Sequence, residues 1–94
     1  MAFYTYILAS RRNGTLYIGS TDGLINRVVE HRDKLRPGFT ARYGVGLLVW
    51  HEMHDTREDA FRRERQMKKW NRAWKIELIE RFNPTWRDLL DDLL

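Results

Sequence analysis

Aromatic and β-branched residues crowd FYTYILAS (3–10) and recur in TLYIGS (15–20), with Asn13-Gly14 between them. This pattern predicts two strands joined by a turn. Asp22 is placed to cap a helix over roughly 23–35, which has to end before Pro37-Gly38. VGLLVWHEM (45–53) is a short, nearly continuous apolar run, the mark of a buried strand. Thr56 is placed to cap a long basic helix running to about Trp70, and a third helical stretch follows at about 72–81. Asn83-Pro84 reads as a cap and a helix-starting proline that open a last short helix. The order is ββαβααα, without internal repeats or low-complexity linkers. It predicts one α+β domain over residues 1–94, a small three-stranded antiparallel sheet flanked by helices.

Side chains alternate between the faces of a strand. Tyr4, Tyr6 and Leu8 therefore share one face of the first strand, and Tyr17 and Gly19 one face of the second. Hairpin registers pairing positions that sum to 27 or to 23 both give an odd sum, so both bring Tyr6 and Tyr17 to the same face. The second register sets them directly opposite each other. Gly19 leaves room beside Tyr17 for a ligand or another backbone. Tyrosines on a small sheet are also ordinary core or rim residues, and the pair alone does not separate the two uses.

The first helix carries Leu24, Ile25, Val28 and Val29 as an apolar stripe, with Arg27 and His31 one turn apart along its margin. In AFRRERQMKKW (60–70), Ala60, Phe61 and Met67 fall on one side of the helix. Glu64 sits in the middle of that side, about 40° from Ala60. An inward carboxylate must be paired, protonated or bound to a metal, because an isolated buried charge is costly. A salt bridge and a place in a site both satisfy that demand. The pattern offers the Tyr6/Tyr17 face, Arg27 and His31 as neighbours.

Charged residues make up 32% of the 94 and hydrophobic ones 43%, which fits a globular chain. Cysteine is absent, so disulfides and thiolate metal sites are excluded. No apolar run reaches membrane-span length and MAFYTYILAS lacks the make-up of a secretory signal, so a cytoplasmic protein is expected. The formal net charge of +4 makes nucleic acid a candidate partner, DNA first, with ordinary solubility as the plain alternative.

YTYIL (4–8), LYIGST (16–21), LINRVVEH (24–31) and a later helix with Glu64 together resemble the GIY-YIG nuclease domain. The whole chain resembles that family's small single-domain bacterial branch, down to NPTWRDL near the end. The first motif departs from the name, with Tyr4-Thr5-Tyr6 where Gly-Ile-Tyr would stand. The resemblance implies hydrolysis of nucleic-acid phosphodiesters, with Tyr6, Tyr17, Arg27, His31 and Glu64 as the catalytic set. Glu64 would hold one Mg²⁺ or Mn²⁺, a hard cation that needs only one or two protein carboxylates. Arg27 would neutralise the phosphate. Tyr17 would orient or deprotonate the attacking water with Tyr6 as its partner, and His31 would share in proton transfer. A lysine that several members place shortly after the second tyrosine is Ser20 here, so its charge has to come from elsewhere. A supporting asparagine about twelve residues past the glutamate falls on Ile76.

Arg62, Arg63, Arg65, Lys68, Lys69, Arg72 and Lys75 form a dense basic series, and Arg36 and Arg42 flank the loop FTARYG. Such a surface neutralises phosphates without reading sequence, so low sequence specificity is expected. Trp70, Trp74 and Trp86 are assigned to packing, and His51 and His54 to the surface, on opposite faces of their strand. The acidic, leucine-rich DLLDDLL is expected to pack as a helix, with a partner or a second copy as the other use. A role in DNA repair or recombination fits this set. The other reading is a non-catalytic nucleic-acid-binding domain that keeps the nuclease fold.

Overall fold

The computed structural model describes residues 2–33, 38 and 42–94. Strands β1 (Phe3–Ala9), β2 (Leu16–Thr21) and β3 (Leu47–His54) form one antiparallel sheet in the order β2-β1-β3. Helices α1 (Leu24–Arg32), α2 (Arg57–Lys68), α3 (Arg72–Phe82) and the short α4 (Leu90–Leu93) complete the ββαβααα order that the pattern predicts. Arg36 lies outside the described residues.

The central strand β1 is covered on both faces. On one, Tyr6 and Leu8 pack with Leu24 and Val28 of α1, Leu48 of β3 and Leu90 of α4. On the other, Ile7 and Ala9 pack with Ile18, Met67 of α2, Ile79 of α3 and Trp86. A bulge in β3 pairs Ile7 with Trp50 but Leu8 with Leu48, and both Val49 and Trp50 join the second core. The outer edge of β3 is closed by the chain near its end. Leu89 N–H donates to the Leu48 carbonyl at 2.8 Å and Leu48 N–H to Asp88 Oδ1 at 3.3 Å.

Several local expectations need correction. Tyr6 pairs with Gly19 and Leu8 with Tyr17, so paired positions sum to 25 and the two tyrosines are diagonal neighbours on one face. The reason is the loop, which is closed one step differently from either expected register. Ser10 N–H donates to the Thr15 carbonyl at 3.0 Å, Thr15 N–H returns to Ser10 Oγ at 2.9 Å, and Asn13 takes a positive φ of 57°. Asp22 does not cap α1. Gly23 holds the cap position, its N–H bound to Thr21 Oγ1, and Asp22 pairs with Arg57. The helix ends at Arg32, earlier than expected.

The buried face of α1 is Leu24, Val28 and His31, whereas Ile25 and Val29 are exposed. Likewise Ala60, Glu64 and Met67 face inward on α2, and Phe61 does not. In both helices the true stripe is narrower than the apolar pattern, because a small domain covers less than half of each helix. Thr56 caps α2 through Asp59 N–H, and Asn71 caps α3 through Trp74 N–H.

Asn83 closes α3 rather than opening a new helix. Its amide donates to the Val49 and Arg87 carbonyls, and its Oδ1 accepts from Arg87 N–H. The chain then turns through Trp86, which takes a positive φ and buries its ring, and only Leu90–Leu93 are helical. No helix among the described residues is long and apolar enough to cross a membrane.

Candidate active site

β2 is an edge strand, and its two faces carry two halves of one constellation. Tyr17 and Gly19 look toward α1. Ile18 and Ser20 look toward α2.

On the α1 side, Tyr6 is fully buried and its ring lies across Gly19. A Cβ at position 19 would stand 2.5 Å from the Tyr6 hydroxyl oxygen and 3.1 Å from Tyr17 Cε2. The room beside Gly19 is thus filled by the paired strand's phenol. The Tyr6 hydroxyl and His31 Nε2 are hydrogen-bonded at 3.3 Å. The ring centroids of Tyr6 and Tyr17 are 6.3 Å apart and those of Tyr17 and His31 5.1 Å. His31 comes here because the core face of α1 carries it, one turn past Arg27. Arg27 is partly exposed and ion-paired to Glu30 at 3.6 Å.

Burial pushes the Tyr6 phenol well above the usual tyrosine range; Tyr17 pushes the same way, Arg27 pulls back, and Glu64 adds a smaller upward push. Tyr6 therefore keeps its proton at neutral pH. Its hydroxyl lies within hydrogen-bond distance of His31 Nε2, and the His31 tautomer decides which of the two donates.

On the α2 side stands Glu64, only 8% exposed. Ser20 Oγ donates to its Oε1 at 2.7 Å and Lys68 Nζ to its Oε2 at 2.8 Å. The inward carboxylate is therefore paired, but by a lysine of its own helix whose side chain is 51% exposed. Glu64 does not sit on the Tyr6/Tyr17 face. It reaches the β2 edge from the opposite side of the sheet, close enough for its charge to act on Tyr6. Beside it, Leu16, Tyr17, Ile18, Lys68 and Lys75 line a hollow of about 290 Å³.

Ser20 stands out in the sequence as a departure from the family pattern and Lys68 as a phosphate-binding candidate, but that both bind Glu64 is not foreseen there. Lys68 lies four residues after Glu64, the spacing at which a helix pairs opposite charges, so that signal is present. It also brings a positive charge to Ser20, where the resemblance leaves one wanting.

The donor set bears on a metal. Among the described residues no group of three or more His, Cys, Asp or Glu is arranged to hold one. A cation here would rest on Glu64 with water and phosphate oxygens, a set that Mg²⁺ accepts. A cation at Oε2 would displace Lys68, whose side chain is half exposed. The chemistry of the residues present fits a single hard cation.

The basic series divides by what each member touches. Arg72 donates to the carbonyls of Asn13 and Gly14, clipping the hairpin loop to α3. Arg63 bonds Glu52 and Gln66 and stacks on Trp70. Arg62 pairs with Asp59, and Arg65 lies over Phe61. Among the described residues Lys69 and Lys75 have no acidic partner. Arg42 stacks on Tyr43 at 5.6 Å.

The two strand histidines are not surface residues. His54 is partly buried, 3.2 Å from Thr5 Oγ1 and 3.1 Å from Glu52. His51 packs edge-on against Phe82. The tryptophans also divide. Trp86 is buried with its Nε1–H on Glu80, whereas Trp74 is 57% exposed and lies outside the core, its ring against Trp70 alone among the described aromatic residues.

A family model described as the GIY-YIG catalytic domain matches residues 2–77. A UPF0213 protein of Syntrophus aciditrophicus is 38% identical over 86% of this chain and 92% of its own length. A UPF0213 protein of Staphylococcus saprophyticus is 32% identical over 81% of this chain and 92% of its own. The solution NMR structure of a UPF0213 protein from Bacillus halodurans superposes with a TM-score of 0.52 at 29% identity, covering 85% of this chain and 84% of that one. With two tyrosines, an arginine and a histidine on one side of an edge strand and a glutamate on the other, the chain belongs to the GIY-YIG family, among its small bacterial UPF0213 members.

Proposed function

We propose that the protein is a divalent-metal-dependent endonuclease that hydrolyses nucleic-acid phosphodiesters, DNA first, with low sequence specificity. Family membership points to nuclease chemistry. The observation that carries the reading is Glu64, a nearly buried carboxylate at the β2 edge whose second oxygen is held, among the described residues, by one half-exposed lysine. A carboxylate facing phosphate repels it, and a cation between them turns that repulsion into attraction.

Glu64 would hold Mg²⁺ or Mn²⁺, which when bound supplies Lewis-acid activation of the scissile phosphate and stabilises the leaving oxygen. Arg27 would bind a non-bridging phosphate oxygen and offset its growing charge. Tyr6, held protonated, would hold the His31 ring in place through its hydroxyl–Nε2 bond. Tyr17, packed on the His31 ring, would orient the attacking water and take its proton while passing its own phenolic proton to His31. Lys68, once displaced from Glu64, would join Lys75 in lining the approach to Tyr17 with positive charge. A nucleic-acid substrate met mainly through its backbone suits a repair or recombination nuclease.

The second reading, a non-catalytic nucleic-acid-binding domain, draws on one observation. Ser20 and Lys68 already satisfy both carboxylate oxygens, as in a structural ion pair. Incubating the protein with labelled duplex, branched, single-stranded and damaged DNA and with RNA, in Mg²⁺, Mn²⁺ or EDTA, separates the two. Metal-dependent cleavage of any of these supports the nuclease. Binding without cleavage in every condition supports the binder.

A further inference from the structure

Trp74 exposes more than half of its surface at the start of α3, where a folded domain ordinarily hides a tryptophan. Its ring stands edge-to-face with Trp70 at 6.2 Å. The pair borders a hollow of about 700 Å³ whose other walls are Arg62, Arg65, Gln66 and Lys69 of α2 and its end. The same two rings also line a second hollow of about 290 Å³, with Glu77, Leu78 and Arg81. Aromatic surface therefore borders two hollows, one of them beside three cations. Arg65 and Lys69 have no acidic partner among the described residues.

We propose that this groove is a subsite for unpaired nucleotides, with a base stacked on Trp74 and its flanking phosphates on Arg65 and Lys69. The proposal rests on the nucleic-acid substrate proposed above and extends it to a single-stranded segment lying outside the site. Every base offers a π-face, so such stacking tolerates any sequence. Cations alone would suit any polyanion. An open indole set among them is what favours a splayed base over a duplex, whose bases are stacked on one another.

The groove also has a path to the chemistry. Around α2, Phe61 lies about 60° from Glu64, Arg65 about 100° and Lys69 about 140°. Phe61 is 49% exposed, with the Arg65 guanidinium 5.1 Å from its ring centroid. An aromatic and cationic stripe therefore winds from the Glu64 edge to Trp74. A strand tracking it would place unpaired nucleotides beside, not within, the site, as at the junction of a duplex with a flap or fork.

Fluorescence anisotropy of a short labelled oligothymidylate, and of a duplex of equal length, measured at low salt on the intact protein, tests this. Trp74→Ala should weaken oligothymidylate binding about tenfold while duplex binding changes less than twofold, and Trp74→Phe should recover most of the loss. The substituted side chain is exposed, and thermal melts of both variants should match the unsubstituted protein. Unchanged oligothymidylate binding in Trp74→Ala, an equal loss for duplex and single strand, or displacement of oligothymidylate by polyglutamate at equal charge would each overturn the proposal. Glu64→Gln serves as the separate control. If the protein cleaves nothing but Trp74 still governs single-strand binding, the nuclease reading fails and the subsite stands. If cleavage proceeds and Trp74→Ala binds normally, the reverse holds.

Discussion

The Tyr6 ring occupies the space above Gly19 on the paired strand, so that a methyl group at position 19 would meet the phenol oxygen at 2.5 Å. The glycine is what allows Tyr6 to lie flat enough to reach His31. Gly19→Ala should displace the ring from a fully packed core, costing about 1–3 kcal/mol of stability. It should also break the Tyr6–His31 bond. Denaturant unfolding would show the first effect. The His31 side-chain NMR resonances would show the second, by losing their dependence on Tyr6→Phe.

Glu64 and Lys68 make a metal-concentration effect testable. Lys68 competes for the carboxylate oxygen that a cation would take. The pair is half-exposed on the lysine side, so its worth is small and the competition mild. Lys68→Met should lower the Mg²⁺ concentration for half-maximal cleavage by about two- to threefold. A rise in that concentration would show that Lys68 serves the phosphate more than it hinders the metal.

How much of this was open to inspection in the chain depends on which property carries the information. Parity carried Tyr6 and Tyr17 to one face, because any odd-sum register does so, although the actual loop geometry gave neither expected pairing. Helical periodicity turned Glu64 inward. It could not say that Glu64 would emerge on the opposite side of the sheet from the tyrosines, because the side on which α2 packs depends on the crossover after β3 rather than on local pattern. Phe61, Ile25 and Val29 look like core by composition and are exposed, since a three-stranded sheet offers too little area to cover them. Arg72 looks like one more phosphate ligand until the hairpin carbonyls it binds come into view. Trp74 fails in the other direction, an apolar residue at helical spacing with no core to enter.

His51 gives the fold a pH dependence of known sign. Burial lowers its pKa from the usual 6.5, and the Asp92 carboxylate offsets part of that shift. The folded state thus favours the neutral ring. Between the lowered value and 6.5 the unfolded chain binds more protons, so stability is full above about 6.5 and falls as pH drops through that window. Thermal melts between neutral and mildly acidic pH should show a smaller decline for His51→Gln than for the unsubstituted protein. An equal decline in both would place the titration elsewhere.

The claim on which the account turns is that the Glu64 carboxylate acts on the phosphodiester through a bound cation rather than serving as an internal ion pair. Gln at position 64 keeps the side chain's shape and its acceptor for Ser20 while removing the charge. The direct measurement is the single-turnover cleavage rate of Glu64→Gln against the unsubstituted protein at saturating Mg²⁺, on the best substrate of the nucleic-acid panel. The expected result is a loss of at least about a hundredfold with substrate binding retained. Cleavage within a few-fold of the unsubstituted rate would contradict it.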